Sequence, residues 1–133
     1  SHVIPALIRK VAEARKNKSP SIEVWGSGRP TREFLYVEDS TEGILLAAEK
    51  YDETEPVNLG SGQEIAISDL VSLICNLMDY KGRIVWNPSK PDGQPRRVVD
   101  VSRAEREFGF KAAHSLEEGL GKTVNWYLEH AID

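Results

Sequence analysis

The stretch from Val24 to Asp39, Val-Trp-Gly-Ser-Gly-Arg-Pro-Thr-Arg-Glu-Phe-Leu-Tyr-Val-Glu-Asp, constrains this chain more than any other. It reads as the end of a strand, a glycine loop, a second strand and a helix start. Gly26 and Gly28 admit backbone angles closed to other residues and let a ligand come near. Pro30 stiffens the loop exit, and the apolar, β-prone run from Phe34 to Val37 resumes pairing. Asp39 followed by Glu42 has the spacing of a capping box, which opens the next helix. The loop thus carries Trp25, Arg29 and Arg32 between two anchored elements. An indole face beside guanidinium groups suits a nucleotide: the ring stacks on a base and an Arg forks onto phosphate. Because the glycines lead into a strand and not a helix, the pattern is not a dinucleotide fingerprint. A tight β connection with solvated arginines is the competing reading.

Hydrophobic periodicity orders the remainder. Val3, Ile4, Leu7, Ile8, Val11 and Ala12 recur at helical spacing, with Pro5 in the first turn. Ile22 to Trp25 then form the strand into the loop. Asp39 to about Lys50 is a helix with Ile44, Leu45, Ala47 and Ala48 on its apolar side. Val57 to Leu59 reads as a short buried strand before the Gly60-Ser61-Gly62 turn. Ser68 is a suitable N-cap for a helix whose face is Leu70, Val71, Ile74, Cys75 and Met78, stopped by Lys81-Gly82. Arg83 to Trp86 is a strand, Asn87 to Pro95 is irregular, and Val98 to Val101 is extended. Ser102 with Glu105, and Ser115 with Glu118, are further capping boxes. The first opens a short helix ending at Gly109; the second opens a terminal helix with Leu116, Leu120, Val124, Tyr127 and Leu128 inward. Gly119 and Gly121 weaken that helix unless something packs closely on them. The order α-β-β-α-β-α-β-β-α-α predicts a mixed α/β fold, and 133 residues without a dividing linker predict a single domain over 1–133.

Bulk properties narrow the functional classes. A net charge of −4 argues against nucleic acid as a partner. No apolar run is long enough for a membrane span and no signal peptide is visible. A single cysteine forms no internal disulfide and fits a cytoplasmic location. The chain opens on Ser1 and not on Met, so a processed product or a fragment of a longer polypeptide is expected.

No phosphate-binding P-loop, nucleophile elbow or paired cysteines occur, and His2, His114 and His130 are too scattered for a metal site. Cys75 lies on an apolar helix face, where packing explains it. Three places remain. His2, just before a helix, has the chemistry of a general acid or base near neutral pH, against the reading of a mobile terminal residue. Lys90 to Arg97 holds three cations, two prolines and a glycine, a stiffened loop able to close over a diphosphate, or else a solvated turn. Trp25 with Arg32 is the third.

Four segments carry a family resemblance. They are Ser1-His2-Val3-Ile4-Pro5-Ala6-Leu7-Ile8-Arg9-Lys10, Val24-Trp25-Gly26-Ser27-Gly28 with Arg32-Glu33-Phe34-Leu35, Tyr80-Lys81-Gly82-Arg83, and Ser89-Lys90-Pro91-Asp92-Gly93. Together they resemble the GDP-L-fucose synthases, NADP-dependent 3,5-epimerase/4-reductases of GDP-4-keto-6-deoxy-mannose in the extended short-chain dehydrogenase/reductase superfamily. The Arg-Glu-Phe and Asn58-Leu59-Gly60-Ser61-Gly62 segments are shared by many sugar-nucleotide epimerases and dehydratases. The resemblance implies the C-terminal substrate-binding domain of such an enzyme, without its N-terminal Rossmann cofactor half. It implies that His2 is the acid/base of epimerisation, and that Trp25, Arg32 and Lys90 contact the GDP-sugar. Lys10 falls where the family often has a substrate-binding Arg; it keeps the charge and loses the fork. The glycine-rich NADP turn, the Tyr-x-x-x-Lys pair and the reactive Cys of the family have no counterpart in these residues. NADP(H) is therefore expected in a complete enzyme and not on this chain alone, which is expected to be inactive by itself. Apolar faces left by a missing cofactor half predict self-association into a homo-oligomer. Two other readings stay open: part of another sugar-nucleotide epimerase or dehydratase, and a stand-alone nucleotide-sugar-binding or assembly module.

Overall fold

A computed structural model describes residues 2–131. Its elements are α1 (Val3–Lys16), β1 (Ser21–Trp25), β2 (Thr31–Glu33), α2 (Val37–Lys50), β3 (Glu64–Ala66), α3 (Ile67–Leu77), β4 (Arg83–Asn87), β5 (Arg96–Arg97), α4 (Ser102–Phe108) and α5 (Leu116–His130). The order of types is the one the sequence predicts. Two small sheets form. β1 pairs β4 in parallel, with Val24 opposite Trp86 and Trp25 opposite Asn87. β2 lies between β3, antiparallel to it, and β5, parallel to it.

The larger core fills the space between the β1–β4 sheet and helices α1, α3 and α5. Strand alternation sends Ile22 and Val24 inward and leaves Glu23 and Trp25 on the outer face. The anticipated face of α3, Leu70 to Met78, is buried throughout. In α5, Leu120 and Val124 are buried as expected and Tyr127 packs against the same core, whereas Leu128 is exposed. Gly119 is where α5 comes against Tyr36: a Cβ there would sit 3.0 Å from the Tyr36 Cβ, so close approach repays the weak helix propensity. A smaller cluster, Ala104, Phe108 and Phe110, packs under α2 and α4.

Several local expectations are corrected. Pairing resumes at Thr31–Glu33 and not at Phe34 to Val37, because β3 and β5 reach only that far along β2. Val57 to Leu59 is irregular, with Val57 and Leu59 half-buried and Asn58 exposed, and β3 lies further on, at Glu64–Ala66. Three proposed caps are not caps. Asp39 lies inside α2, whose N-cap is Tyr36, and its carboxylate turns to His114. Ser68 lies inside α3; the glycine loop caps that helix instead, Ile67 N–H donating to Pro30 O and Ser68 N–H to Gly28 O, both at 2.9 Å. Ser102 is the first residue of α4 and donates to Asp100 Oδ1. The third box is real: Glu118 N–H donates to Ser115 Oγ at 3.1 Å. Helix α3 stops before Lys81-Gly82, through a left-handed Asp79 with Tyr80 N–H bonded back to Cys75 O. On α2, Gly43, Leu46 and Ala47 face inward, while Ile44, Leu45 and Ala48 are exposed.

Candidate functional site

Parallel pairing of β1 with β4 sends both chains out of the sheet at the same end. The loops that follow Trp25 and Asn87 therefore meet, and the C-terminal edge of parallel strands is where such folds place ligands. Here the Lys90 ammonium stands 5.1 Å from the centre of the Trp25 ring, within cation–π range. Trp25 is 65% exposed, so most of the indole remains open to a ligand. Asn87 prepares the second loop: its Nδ2 donates to Glu23 Oε1 at 2.8 Å, and its Oδ1 accepts from Ser89 N–H and Oγ–H.

Asp92 joins the loops. Its Oδ1 accepts from Ser27 N–H at 2.6 Å and its Oδ2 from Ser27 Oγ–H at 2.7 Å. These bonds from the Ser27 backbone and hydroxyl hold the carboxyl below the usual carboxylate range. Gly26 has φ +93°, and a Cβ on it would meet Asp92 Oδ1 at 2.4 Å, so both its conformation and its bareness are used.

The other expected residues make contacts of their own. Lys10, on α1, donates from its ammonium to Glu23 O, which lies two strand positions before Trp25. Arg32, on β2, donates to Thr31 O at 2.7 Å and to Gln94 O at 2.8 Å, and so binds the far end of the loop that carries Lys90. It lines a depression of about 290 Å³ with Val3, Phe34 and Arg97. His2 is the N-cap of α1, exposed, next to Val3 at the rim of that depression. The structure thus brings Trp25 and Lys90 together and ties Arg32 to the far end of the Lys90 loop, whereas Lys10 reaches only the Glu23 carbonyl, His2 stands exposed at the start of α1, and the depression that Arg32 lines includes neither Trp25 nor Lys90.

A second polar constellation lies elsewhere and is not foreseen from spacing. Asp39, buried, accepts from the His114 N–H at 3.0 Å and pairs with His114 Nδ1 at 2.9 Å. Since a carboxylate only accepts, Nδ1 carries the hydrogen and Nε2 accepts from Lys122 Nζ at 3.2 Å. Burial pushes the Asp39 carboxyl up, but the bonds from His114 and Ala113 outweigh it and the net shift is downward. This knot borders an apolar cleft of about 420 Å³ lined by Ile4, Phe34, Tyr36, Leu120 and Trp126. The walls suit apolar cover better than a diphosphate, and Lys122 is already engaged by His114 and Glu38. No group of three or more His, Cys, Asp or Glu among the described residues is arranged to hold a metal. No helix among them is long and apolar enough to cross a membrane.

Ser27, Asn87 and Asp92 were not singled out from sequence. The signal was present in Gly26 beside Ser27 and in Pro91-Asp92-Gly93, but only pairing β1 with β4 brings the two together.

Residues 1–60 match the NAD dependent epimerase/dehydratase family. The chain is 42% identical over 132 residues to a probable GDP-L-fucose synthase 1 of Oryza sativa subsp. japonica, covering 99% of this chain and 40% of that protein. It superposes on a GDP-L-fucose synthetase from Naegleria fowleri bound to NADP with a TM-score of 0.89 at 31% identity, covering 97% of this chain and 40% of the other. A UDP-glucose 4-epimerase from Thermotoga maritima with UDP-glucose gives a TM-score of 0.82 at 26% identity, with 97% and 40% covered. The chain spans about two fifths of the length of these relatives. It is similar along its whole length to part of the GDP-L-fucose synthases, as the sequence segments indicated, and its mixed α/β fold matches the corresponding part of structures with the extended short-chain dehydrogenase/epimerase fold.

Proposed function

We propose that this chain is the C-terminal, substrate-binding part of a GDP-L-fucose synthase-like, NADP-dependent epimerase/reductase acting on GDP-4-keto-6-deoxy-mannose. The observation that carries the reading is the Trp25–Lys90 pair at the C-terminal edge of β1 and β4, an aromatic face and a cation within 5.1 Å. The indole stacks on the base while Lys90, Lys10 and Arg32 meet the diphosphate and sugar. His2 moves protons at C3 and C5 of the sugar, where the neighbouring 4-keto group makes C–H bonds acidic.

The described residues do not fit NADP. Both glycine turns, 26–28 and 60–62, lead into strands, β2 and β3, and the first N–H groups of α3, beside the 26–28 turn, already donate to Pro30 O and Gly28 O. The reduction at C4 is accordingly assigned to no residue of this chain, and the purified chain is expected to show no NADPH turnover; measurable turnover refutes that. The cofactor half, on a longer polypeptide or a partner, and a cytoplasmic home with the thiol of buried Cys75 kept reduced, complete the proposal. Self-association follows from the exposed apolar residues of α2.

Calorimetric titration with GDP, UDP and dTDP tests the binding claim. GDP is expected to bind tightest, and Trp25→Ala to weaken it by about tenfold, the value of one base–aromatic stack. Equal affinities for the three nucleotides remove the guanine assignment.

A further inference from the structure

We propose that Asp92 is a positioning residue for nucleotide binding: by clasping Ser27 it holds Lys90 over Trp25. The inference deepens the nucleotide-sugar reading and rests on it for the ligand, though not for the geometry.

The clasp and the pair it serves are matched in chain position. Trp25 stands two residues before Ser27, and Lys90 two residues before Asp92. Fixing Ser27 to Asp92 through two hydrogen bonds therefore sets the two preceding side chains against each other. Pro91 makes the transmission stiff, since its ring fixes its own φ and restricts the backbone of the residue before it, Lys90. Gly26 provides the room, because any Cβ there would occupy the Asp92 carboxylate.

Lys90 cannot hold this place unaided. It is an exposed side chain with large rotamer freedom, and an exposed cation–π contact is too weak to freeze it. The loop's other ties lie towards its ends, where Ser89 N–H and Oγ–H donate to Asn87 Oδ1 and Thr31 N–H donates to Pro95 O. Lys90 N–H reaches Asn87 O at 3.3 Å, a long bond, and beyond Asp92 the Gln94 carbonyl accepts from Arg32 at 2.8 Å. Between those points, among the described residues, Asp92 is the anchor. Its bonds are charge-assisted and short, and Ser27 is itself held in register, its Oγ accepting from Arg29 N–H at 3.2 Å. Preorganising the cation before a diphosphate arrives removes an ordering cost from binding.

Two readouts on the whole chain test this. The ε-methylene protons of Lys90, over the indole, are expected to resonate upfield of those of the other lysines; Lys90→Met identifies the signal by its loss. In Asp92→Ala the signal should return to the position of a free lysine while the urea midpoint stays put, and Ser27→Ala, which removes one bond of two, should move it part of the way. GDP affinity should fall by about tenfold in Asp92→Ala. In a Lys90→Met background, the same change should cost less than about twofold, because Asp92 acts through Lys90. An upfield Lys90 signal that survives Asp92→Ala overturns the proposal, as does an equal loss of GDP affinity with and without Lys90. If the native chain binds no GDP yet loses the upfield signal in Asp92→Ala, the nucleotide reading fails and the positioning role stands. Should Asp92→Ala not fold, Ser27→Ala decides: an unmoved Lys90 signal overturns the claim.

Discussion

Under β1 and β4, Val11, Leu70, Ile74 and Val124 are closed off from solvent, whereas α2 leaves Val37 67%, Ile44 59% and Leu45 59% exposed. Both regions have apolar helix faces of ordinary composition. They differ in what covers them. The first core has a sheet beneath and three helices around it. The second has α2, α4 and the irregular 56–60 segment, which leave the outer side of α2 uncovered among the described residues. One half of the chain is thus finished by its own residues, and the other presents the kind of apolar surface that marks an interface.

The contrast can be broken most forcefully in the complete core. Ile74→Ala removes a fully buried side chain and is expected to cost about 3 kcal/mol, seen as a lower urea midpoint. A loss below about 1 kcal/mol means that this core is looser than its burial implies.

The next effect concerns the joint between the regions. Asp39 belongs to α2 and holds His114, which precedes α5, so Asp39→Ala unties one region from the other. A loss of about 2 kcal/mol is expected from the orphaned donors. The pH dependence has a definite sign. The folded Asp39 carboxyl lies below its unfolded value, so its contribution is present above the unfolded pKa and fades as pH falls through the folded one. Asp39→Asn should flatten the acid side of the stability profile; an unchanged profile separates the knot from acid stability.

The smallest effect on stability is expected where exposure is greatest. Ile44→Glu with Leu45→Glu should change stability by no more than about 0.5 kcal/mol each, as surface positions do. The same pair should abolish self-association in sedimentation. A native chain that is monomeric across concentration removes the interface reading of α2.

Positions whose partners lie within a few residues were legible from sequence. The α3 face, the Ser115–Glu118 box and the left-handed Gly109 after α4 depend on local spacing and backbone freedom, and they appear as expected. Asp39, Ser68 and Ser102 have equally good local spacing, yet Asp39 is taken by His114, the cap of α3 comes from Gly28 and Pro30, and Ser102 turns to Asp100. Val57 to Leu59 has strand composition but pairs with no strand among the described residues, because a strand is a property of two segments and not of one.

The same division runs through the candidate site. Trp25 and Lys90 could be picked out singly, an aromatic and a cation on glycine- and proline-punctuated loops, since residue type and local stiffness are written in the chain itself. That they face each other, with Asp92 locked under Gly26 between them, was decided only when β1 and β4 paired in parallel and released both loops at one end. Contacts 65 residues apart depend on register, and register is set by burying Ile22, Val24 and their neighbours together.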